Sequence, residues 1–305
     1  MDIYLPIAEM AVNVLLILGL GALVGFLSGL FGIGGGFLTT PLLIFIGIPP
    51  AVAAATGASQ IVAPSVSAVL SHWRRGNVDL RMGLALLAGG LLGSTIGVAT
   101  FAVLHRLAQL DVVIKLAYVV FLTVIGALML KESVQAIRRA RTRAVKPKPR
   151  RTFLDALPLK LRFRRSRLYV SVLLPVAIGL VVGVLAAIMG VGGGFIMVPA
   201  MIYLLGMPSS VVVGTSLFQI IFVAASVTIL QALTTQTVDV VLALLLVAGS
   251  VVGAQFGLRA GTRLRGDQLR VLLAVLVLAV AGNLAWGLIA PPADLYSVTE
   301  RWETP

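Results

Sequence analysis

The chain has 305 residues, of which 59% are hydrophobic and 11% are charged, and its formal net charge at pH 7 is +13. This composition excludes an ordinary soluble domain, because so few polar residues could not cover a water-facing surface. The absence of cysteine also excludes disulfides, thiolate nucleophiles and cysteine-ligated metal sites. We therefore expect an all-α polytopic membrane protein embedded in a lipid bilayer.

Apolar segments follow one another along the chain on both sides of a basic stretch. They lie near residues 11–31, 36–48, 51–72, 81–104 and 111–130, and near 169–189, 195–206, 209–233, 238–258 and 268–290. The second segment of each set has only about 12 residues, roughly 18 Å as a helix, and a single crossing needs about 30 Å. These two segments are therefore predicted to be half-helices. The sequence leaves open whether they span or re-enter the membrane.

The two sets of segments contain the same motif at the same position. Residues 32–36 (Gly-Ile-Gly-Gly-Gly) correspond to residues 190–194 (Gly-Val-Gly-Gly-Gly). Further matching pairs are Gly25 and Gly183, Phe37 and Phe195, Pro41 and Pro199, Thr56 and Thr215, Gln60 and Gln219, and Asp79 and Asp239. The pattern predicts an internal duplication. A glycine-rich break before a short apolar segment, at matching positions of two halves, is typical of discontinuous helices that line a transporter site.

The duplication and the charge distribution divide the chain into four parts. We predict a first membrane repeat at 1–130, a basic linker at 131–168, a second membrane repeat at 169–290 and a short tail at 291–305. Fourteen of the 24 Lys and Arg residues lie between Lys131 and Arg167. Basic loops remain in the cytoplasm, so the linker is predicted to be cytoplasmic, and nucleic-acid binding is not expected.

The other basic loops predict how the repeats are related. If each half crosses the membrane an odd number of times, a cytoplasmic linker puts both termini outside. The arginines at 74–75 and those between 259 and 265 then fall inside, as the positive-inside rule requires. An even number of crossings would move the arginines between 259 and 265 outside, against this rule. We therefore predict repeats of inverted topology.

Charged side chains are scarce within the predicted spans. Intramembrane carboxylates usually mark proton or cation pathways, so their scarcity argues against a cation transporter. Consecutive glycines allow a ligand to approach the backbone closely, and the start of a half-helix offers unpaired N–H groups and a positive dipole end. The alternative is that the glycines serve only close helix packing. The predicted anion-binding glycines are Gly34, Gly35, Gly36, Gly192, Gly193 and Gly194.

Hydroxyl and amide side chains follow in the next segment of each half. In both halves a Thr and a Gln are four positions apart, so the two side chains share one helical face. We predict that these groups and their neighbouring serines complete the lining of the site, with hydrogen bonding between helices as the alternative. The predicted set is Thr56, Ser59, Gln60, Thr215, Ser216 and Gln219.

Other residues receive structural interpretations. Asp79 and Asp239 each precede a long apolar segment, where a helix N-terminal cap is expected, with proton coupling as the alternative. His72 neighbours Trp73 and two arginines, which favours the membrane interface over a proton shuttle. The glycines that recur every four residues, at 89, 93 and 97 and at 249, 253 and 257, are expected to form helix-packing faces.

The duplicated Gly-Ile/Val-Gly-Gly-Gly-Phe motif, the proline that follows it and the Thr–Gln pair resemble the sulfite exporter TauE/SafE family. The resemblance covers roughly residues 15–290. It implies a bacterial inner-membrane permease for sulfur-containing oxyanions, with sulfite, sulfoacetate and related organosulfonates as suggested substrates. The halves differ within the motif region, since Gly57 stands where the second half has Ser216, and Ser59 stands where it has Phe218.

Together these features predict a secondary transporter that binds a small anion at the two glycine-rich turns and moves it by alternating access. The resemblance implies that the anion contains sulfur and is exported, although the sequence itself leaves the direction of transport open. An anion channel is the alternative, since a pore uses similar glycine-backbone linings. An enzyme is not expected, because the spans lack the nucleophiles and acid–base pairs of an active site. No cofactor or metal is predicted. A proton or a counter-substrate is the expected coupling partner, and the oligomeric state is left open.

Overall fold

The computed structural model describes residues 2–31, 36–141, 160–163, 165–166, 168–261 and 266–289. Its first half contains β1 (Asp2–Leu5), β2 (Met10–Asn13), α1 (Val14–Phe31), α2 (Gly36–Phe45), α3 (Pro50–Arg74), α4 (Leu80–Arg106) and α5 (Leu110–Arg141). Its second half contains β3 (Lys160–Phe163), β4 (Leu168–Ser171), α6 (Leu173–Met189), α7 (Gly194–Tyr203), α8 (Ser209–Thr234), α9 (Val240–Gly261) and α10 (Gly266–Ile289). The two halves therefore share one order of elements.

Most of the helices have the length and composition of membrane spans. Large apolar side chains lie on the outer surface, as with Leu15 and Leu233, whose exposed fractions are 73% and 74%. A water-facing surface would not tolerate many such side chains. The protein is thus a mostly helical, polytopic membrane protein. Within the described ranges, six helical segments are long and apolar enough to cross a membrane, namely Pro50–Arg74, Leu80–Arg106, Leu110–Lys131, Val211–Thr234, Val240–Gly257 and Val271–Leu288.

The two segments predicted to be half-helices are short in the structure. α2 and α7 have 10 residues each, which corresponds to about 15 Å of helix. Each contains one proline, Pro41 in α2 and Pro199 in α7. Neither helix is long enough to cross the hydrocarbon core alone.

Each half opens with a short antiparallel hairpin that the sequence analysis did not predict. β1 pairs with β2, and β3 pairs with β4, over four residues per strand. Strands this short give no clear alternating pattern, so the expectation of an all-α fold missed them. In addition, α5 continues to Arg141. The segment predicted as a linker, 131–168, therefore contains the end of a helix and most of the second hairpin.

The first helix of each half packs against the fourth helix of the other half. α1 lies parallel to α9, and α6 lies parallel to α4. A Cβ atom added to Gly25 would collide with the backbone of Ser250, and one added to Gly93 would collide with the backbone of Leu180. Glycine lets the helix backbones approach this closely. The predicted packing role is confirmed for all the glycines that recur every four residues, which are Gly89, Gly93, Gly97, Gly249, Gly253 and Gly257.

The other long helices pair with their counterparts, and the loops gather at two ends. α3 packs against α8, and α5 packs against α10. At one end, the β1–β2 turn, the start of α3, the α4–α5 loop and the α8–α9 loop line a cavity of about 500 Å³. At the other end, the α3–α4 connection and the β3–β4 turn line a cavity of about 230 Å³. Helices α3 and α4 therefore connect the two ends.

Candidate functional site

The N-terminal ends of α2 and α7 meet between the two halves. The rings of Phe37 and Phe195 stack with their centroids 4.3 Å apart and their planes at 15°, and both side chains are buried. Each phenylalanine is the second residue of its helix, because α2 begins at Gly36 and α7 begins at Gly194. The contact thus brings together two helix ends that carry unpaired N–H groups and a partial positive charge.

The segment before α7 requires glycine. Gly190, Gly192 and Gly193 have φ values of +70°, +66° and +78°. Residues with a Cβ atom rarely adopt this left-handed conformation, so the chain can turn here only with glycine. The matching segment of the first half contains the predicted site residues Gly34 and Gly35, which lie outside the described residues.

The break after α6 leaves backbone carbonyls that side chains from other helices bind. The hydroxyl of Tyr118 donates a hydrogen bond of 2.6 Å to the carbonyl oxygen of Met189, and the hydroxyl of Thr40 donates one of 3.3 Å to the same oxygen. Gln231 donates from Nε2 to the carbonyl oxygen of Ala187 at 2.9 Å. Buried carbonyls at a helix end need such partners. The sequence analysis missed these three side chains, since only the tertiary structure brings them to the break.

Ile61 lies between the two glycine-rich segments. A Cβ atom added to Gly36 or to Gly192 would collide with the Cδ1 atom of Ile61. Its side chain also packs with Ile220 and Ala224 of α8. An apolar side chain therefore fills the space between Gly36 and Gly192.

The two predicted glutamines have different surroundings. Gln60 and Gln219 are both buried, with exposed fractions of 2% and 0%. Gln60 accepts through Oε1 a hydrogen bond of 2.8 Å from the hydroxyl of Thr39, whereas neither Oε1 nor Nε2 of Gln219 has a partner within the ranges that the structure describes. The second half has Met197 where the first has Thr39. Comparing the two halves at this position could have identified Thr39 from the sequence.

The two predicted threonines bind the backbone of the opposite half. Thr56 accepts a hydrogen bond of 3.1 Å from the N–H of Asp239, and Thr215 accepts one of 3.0 Å from the N–H of Asp79. Each aspartate in turn accepts through Oδ1 the N–H three residues further on, at 3.3 Å in α4 and 3.0 Å in α9. Both aspartates are therefore N-terminal caps, as predicted.

The second carboxylate oxygen of each aspartate binds a hairpin turn. Asp79 accepts through Oδ2 hydrogen bonds from the backbone N–H and the hydroxyl of Ser166, at 3.0 and 2.7 Å. Asp239 accepts through Oδ2 the N–H of Ile7 at 3.1 Å. In the part of the chain that the structure describes, no other charged side chain is buried. Each hairpin is thus joined to the fourth helix of the opposite half.

The two predicted serines bond within their own helix. The hydroxyl of Ser59 donates to the carbonyl oxygen of Thr56 at 2.6 Å, and that of Ser216 donates to the carbonyl oxygen of Val213 at 3.0 Å. Both hydroxyl protons are therefore used locally. The oxygen atoms keep the capacity to accept a further hydrogen bond.

The structure brings some of the predicted residues together and leaves others apart. Gly36 and Gly192 both lie against Ile61, which follows Gln60, and Gly192 also lies near Ile220, which follows Gln219. Gln60 instead contacts Thr39 of α2, and the amide of Gln219 lies against Gly90 of α4. Gly193 instead faces Val182 of α6, and the two threonines bind the caps of α9 and α4. Gly194 is buried as the first residue of α7.

Two sets of helices in the same order, each with a short helix, and short helices that meet at their starts are characteristic of polytopic membrane transporters. The chain belongs to the sulfite exporter TauE/SafE family, whose model matches residues 17–284. We therefore describe this protein as a membrane transporter.

Three similar proteins share most of their length with this chain. A probable membrane transporter protein of Bacillus subtilis (strain 168), YjnA, is 28% identical over 272 residues, covering 88% of this chain and 97% of the relative. A second from the same organism, YunE, is 28% identical over 278 residues, covering 88% of this chain and 95% of the relative. A probable membrane transporter protein of Xylella fastidiosa (strain 9a5c) is 27% identical over 278 residues, covering 90% of this chain and 95% of the relative. No solved structure matches the chain significantly.

Proposed function

We propose that this protein is a secondary transporter that exports small sulfur-containing oxyanions, such as sulfite or organosulfonates. Membership of the sulfite exporter family supports the substrate class. The observation that carries the proposal is the meeting of the α2 and α7 N-terminal ends at the Phe37–Phe195 stack. Two converging helix dipoles attract an anion without help from lysine or arginine, and no such side chain is buried among the residues described.

The anion is held mainly by backbone groups at the two glycine-rich turns. Glycine lets an oxygen atom approach the N–H groups at the start of each half-helix without a side chain in the way. Buried hydroxyl and amide groups from α3 and α8 orient the anion. The residues proposed to form this site are Gly34, Gly35, Gly36, Thr56, Ser59, Gln60, Gly192, Gly193, Gly194, Thr215, Ser216 and Gln219.

In this proposal the α1–α2 and α6–α7 pairs are re-entrant, and the two halves have inverted topology. Ile7 before α1 and Pro49 after α2 line the same cavity, so this pair begins and ends at one end of the protein. Arg165 before α6 donates a hydrogen bond of 2.8 Å to the carbonyl oxygen of Gly76 in the α3–α4 connection. Gly214, near the start of α8, lies against the same connection. These contacts support an α6–α7 pair that begins and ends at the opposite end.

We further propose that the protein lies in a bacterial inner membrane with the linker, 131–168, in the cytoplasm. The positive-inside rule supports this orientation. Arg74 and Arg75 lie at the end of the protein that also contains the β3–β4 turn, which is the last part of the linker. Both termini then lie outside. The predicted inner residues Arg263 and Arg265, most of the linker and the tail at 291–305 lie outside the described residues.

Transport is proposed to proceed by alternating access to the glycine turns. Cavities of about 500 Å³ and about 230 Å³ lie at the two ends, and Ile61 fills the space between Gly36 and Gly192. In the proposed cycle Ile61 moves aside when the anion binds, which favours a carrier over the alternative, an anion channel. A proton or a counter-substrate is the proposed coupling partner.

Flux measurements in proteoliposomes test the proposal. Purified protein is reconstituted, and entry of labelled sulfite, sulfate, thiosulfate and a short sulfonate is followed with and without an imposed proton gradient. Saturable sulfite or sulfonate movement that responds to the gradient or to counter-substrate is expected. Ohmic single-channel currents would support the channel instead. Folded protein that moves none of these anions faster than empty liposomes would overturn the substrate class.

A further inference from the structure

We infer that Gln219 selects a sulfur oxyanion that carries a hydroxyl group in addition to its acceptor oxygens. The inference rests on the proposed function and narrows its substrate class. It also makes the two half-sites unequal, because only the second half supplies an amide with no partner among the described residues.

Gln219 is a fully buried amide whose hydrogen-bonding groups are unused. Its exposed fraction is 0%, and among the residues that the structure describes neither Nε2 nor Oε1 has a hydrogen-bond partner. Buried polar groups in folded proteins are nearly always hydrogen-bonded. An amide whose donor and acceptor are both unused, on the helix that also contributes Ile220 beside Gly192, therefore points to a ligand.

The partner that satisfies the matching amide is absent from the second half. Thr39 donates its hydroxyl proton to Oε1 of Gln60 at 2.8 Å. The corresponding residue is Met197, which is buried and has no proton to donate. The acceptor atom of Gln219 is thus left for a donor that comes from outside the protein.

The space beside Gln219 also differs from the space beside Gln60. Gly90 of α4 lies against Gln219, and a Cβ atom added to this glycine would be 2.6 Å from Nε2. The corresponding residue of α9 is Ser250. The Nε2 group of Gln219 therefore packs against the backbone of Gly90, and a side chain at this position would displace the amide.

The two unused groups require complementary groups on the ligand. The Nε2 group donates two hydrogen bonds, and an oxyanion oxygen accepts them, whereas Oε1 needs a donor. A sulfonate without a hydroxyl leaves Oε1 unpaired in a buried site, and its negative oxygens repel that atom. Sites built to bind a hydroxyl reject analogues that lack one for this reason. A hydroxyalkanesulfonate, or sulfite with a protonated oxygen, satisfies both sides of the amide.

Two sulfonates that differ in one hydroxyl group test the inference. Uptake of labelled sulfite is measured in proteoliposomes with the full-length protein, in competition with 2-hydroxyethanesulfonate or ethanesulfonate. Both competitors carry one negative charge. We expect 2-hydroxyethanesulfonate to inhibit at about tenfold lower concentration, the effect of one well-formed hydrogen bond to a buried group.

Substitutions assign this preference to Gln219. Gln219→Leu should bring the ratio of the two inhibitory concentrations close to one. Met197→Thr places a hydroxyl where the first half has Thr39 and should lower the ratio of the two inhibitory concentrations. Met197→Val has nearly the shape of Met197→Thr but no hydroxyl, so it should keep the wild-type ratio. If Gln219→Leu abolishes uptake, the comparison of the two Met197 variants decides whether Gln219 causes the preference for the hydroxyl group.

The outcomes separate this inference from the proposed function. If sulfite uptake is present but the sulfonates inhibit equally, or neither inhibits, the inference is overturned and the transporter assignment stands. Equal ratios in Met197→Thr and Met197→Val also overturn it. If the folded wild-type protein takes up no sulfite, the proposed function fails, and the inference fails with it.

Discussion

The hydroxyl oxygen of Thr56 accepts a hydrogen bond of 3.1 Å from the backbone N–H of Asp239, which lies 183 residues later in the chain. The same arrangement occurs with the halves exchanged, since Thr215 accepts a 3.0 Å hydrogen bond from the N–H of Asp79. Each bond joins the third helix of one half to the start of the fourth helix of the other. The two bonds therefore hold the halves together in a reciprocal way.

Replacing Thr56 with valine should destabilise the protein. Valine has nearly the same shape but no acceptor, so the buried N–H of Asp239 loses its partner, at a cost of about 1–3 kcal/mol in the free energy of unfolding. Thr215→Val should have a similar effect through Asp79. Unfolding of the purified proteins in mixed detergent micelles measures both changes.

Thr228→Val is the matched control for these two variants. The Thr228 hydroxyl donates only to the carbonyl oxygen of Ala224 in its own helix, at 2.9 Å, so its removal leaves no N–H without a partner. If Thr56→Val and Thr228→Val unfold with the same free energy, the bond to Asp239 does not stabilise the fold.

Asp79→Asn should loosen the β3–β4 hairpin while keeping the cap of α4. Asparagine caps helices about as well as aspartate, but an amide nitrogen in the place of Oδ2 cannot accept the two hydrogen bonds from Ser166. Hydrogen exchange of the hairpin amides should become faster, by the equivalent of about 1–3 kcal/mol in opening free energy. Mass spectrometry of deuterated peptides measures it.

Asp111→Asn removes a carboxylate from the first turn of α5, where the side chain is exposed, and serves as the control. Exchange in the β3–β4 hairpin should not change in this variant. Equal exchange rates of that hairpin in the wild type and in Asp79→Asn would show that the carboxylate does not hold the turn.

Gly253→Ala should weaken the contact between α1 and α9. The added Cβ atom would collide with the backbone of Ala22, and a backbone cannot move aside as a flexible side chain can. Overpacking of this kind costs about 1–3 kcal/mol. Gly282→Ala, on a helix position with no atom within 4 Å of an added Cβ, should leave the unfolding free energy unchanged or raise it slightly. Similar values for the two variants would contradict close backbone packing at Gly253.

Gly193→Ala should lower anion flux more than a similar backbone strain at a position outside the proposed site. Its φ value of +78° is unfavourable for alanine, an added Cβ atom would collide with Cγ1 of Val182, and the change lies in the proposed binding turn. Gly206→Ala has a similar strain, with φ of +70° and open space around the added Cβ, but lies in the loop after α7. Flux per folded molecule should fall several-fold only in Gly193→Ala. Normal flux in that variant would remove this turn from the proposed site.

Features that depend on neighbouring residues could be predicted from the sequence. The apolar segments, the short second helix of each half and the caps at Asp79 and Asp239 all appear at or near their predicted positions. Each arises from composition or from spacing over a few residues, so an isolated stretch of chain carries the information. The packing glycines were predictable for the same reason, since a repeat of four residues marks one face of a helix.

Partners that are distant in the chain could not be predicted in this way. Nothing in the sequence near Tyr118 or Gln231 indicates that these side chains bind the carbonyls at the end of α6. The hairpins were missed because strands of four residues lack a clear period. Ile61 looked like any other apolar residue of a span, and only its contact with Gly36 and Gly192 distinguishes it.

The sequence by itself determined that this is a duplicated, helical membrane protein of the sulfite exporter family with a glycine-rich break in each half, because hydropathy and motif spacing are local properties. Only the tertiary structure decided which polar groups have partners. Gln60 and Gln219 are the same residue in matching positions, yet Thr39 binds one, and no residue in the described part of the chain binds the amide of the other. A hydrogen bond depends on the distance between two atoms in space, and the folded chain alone sets that distance.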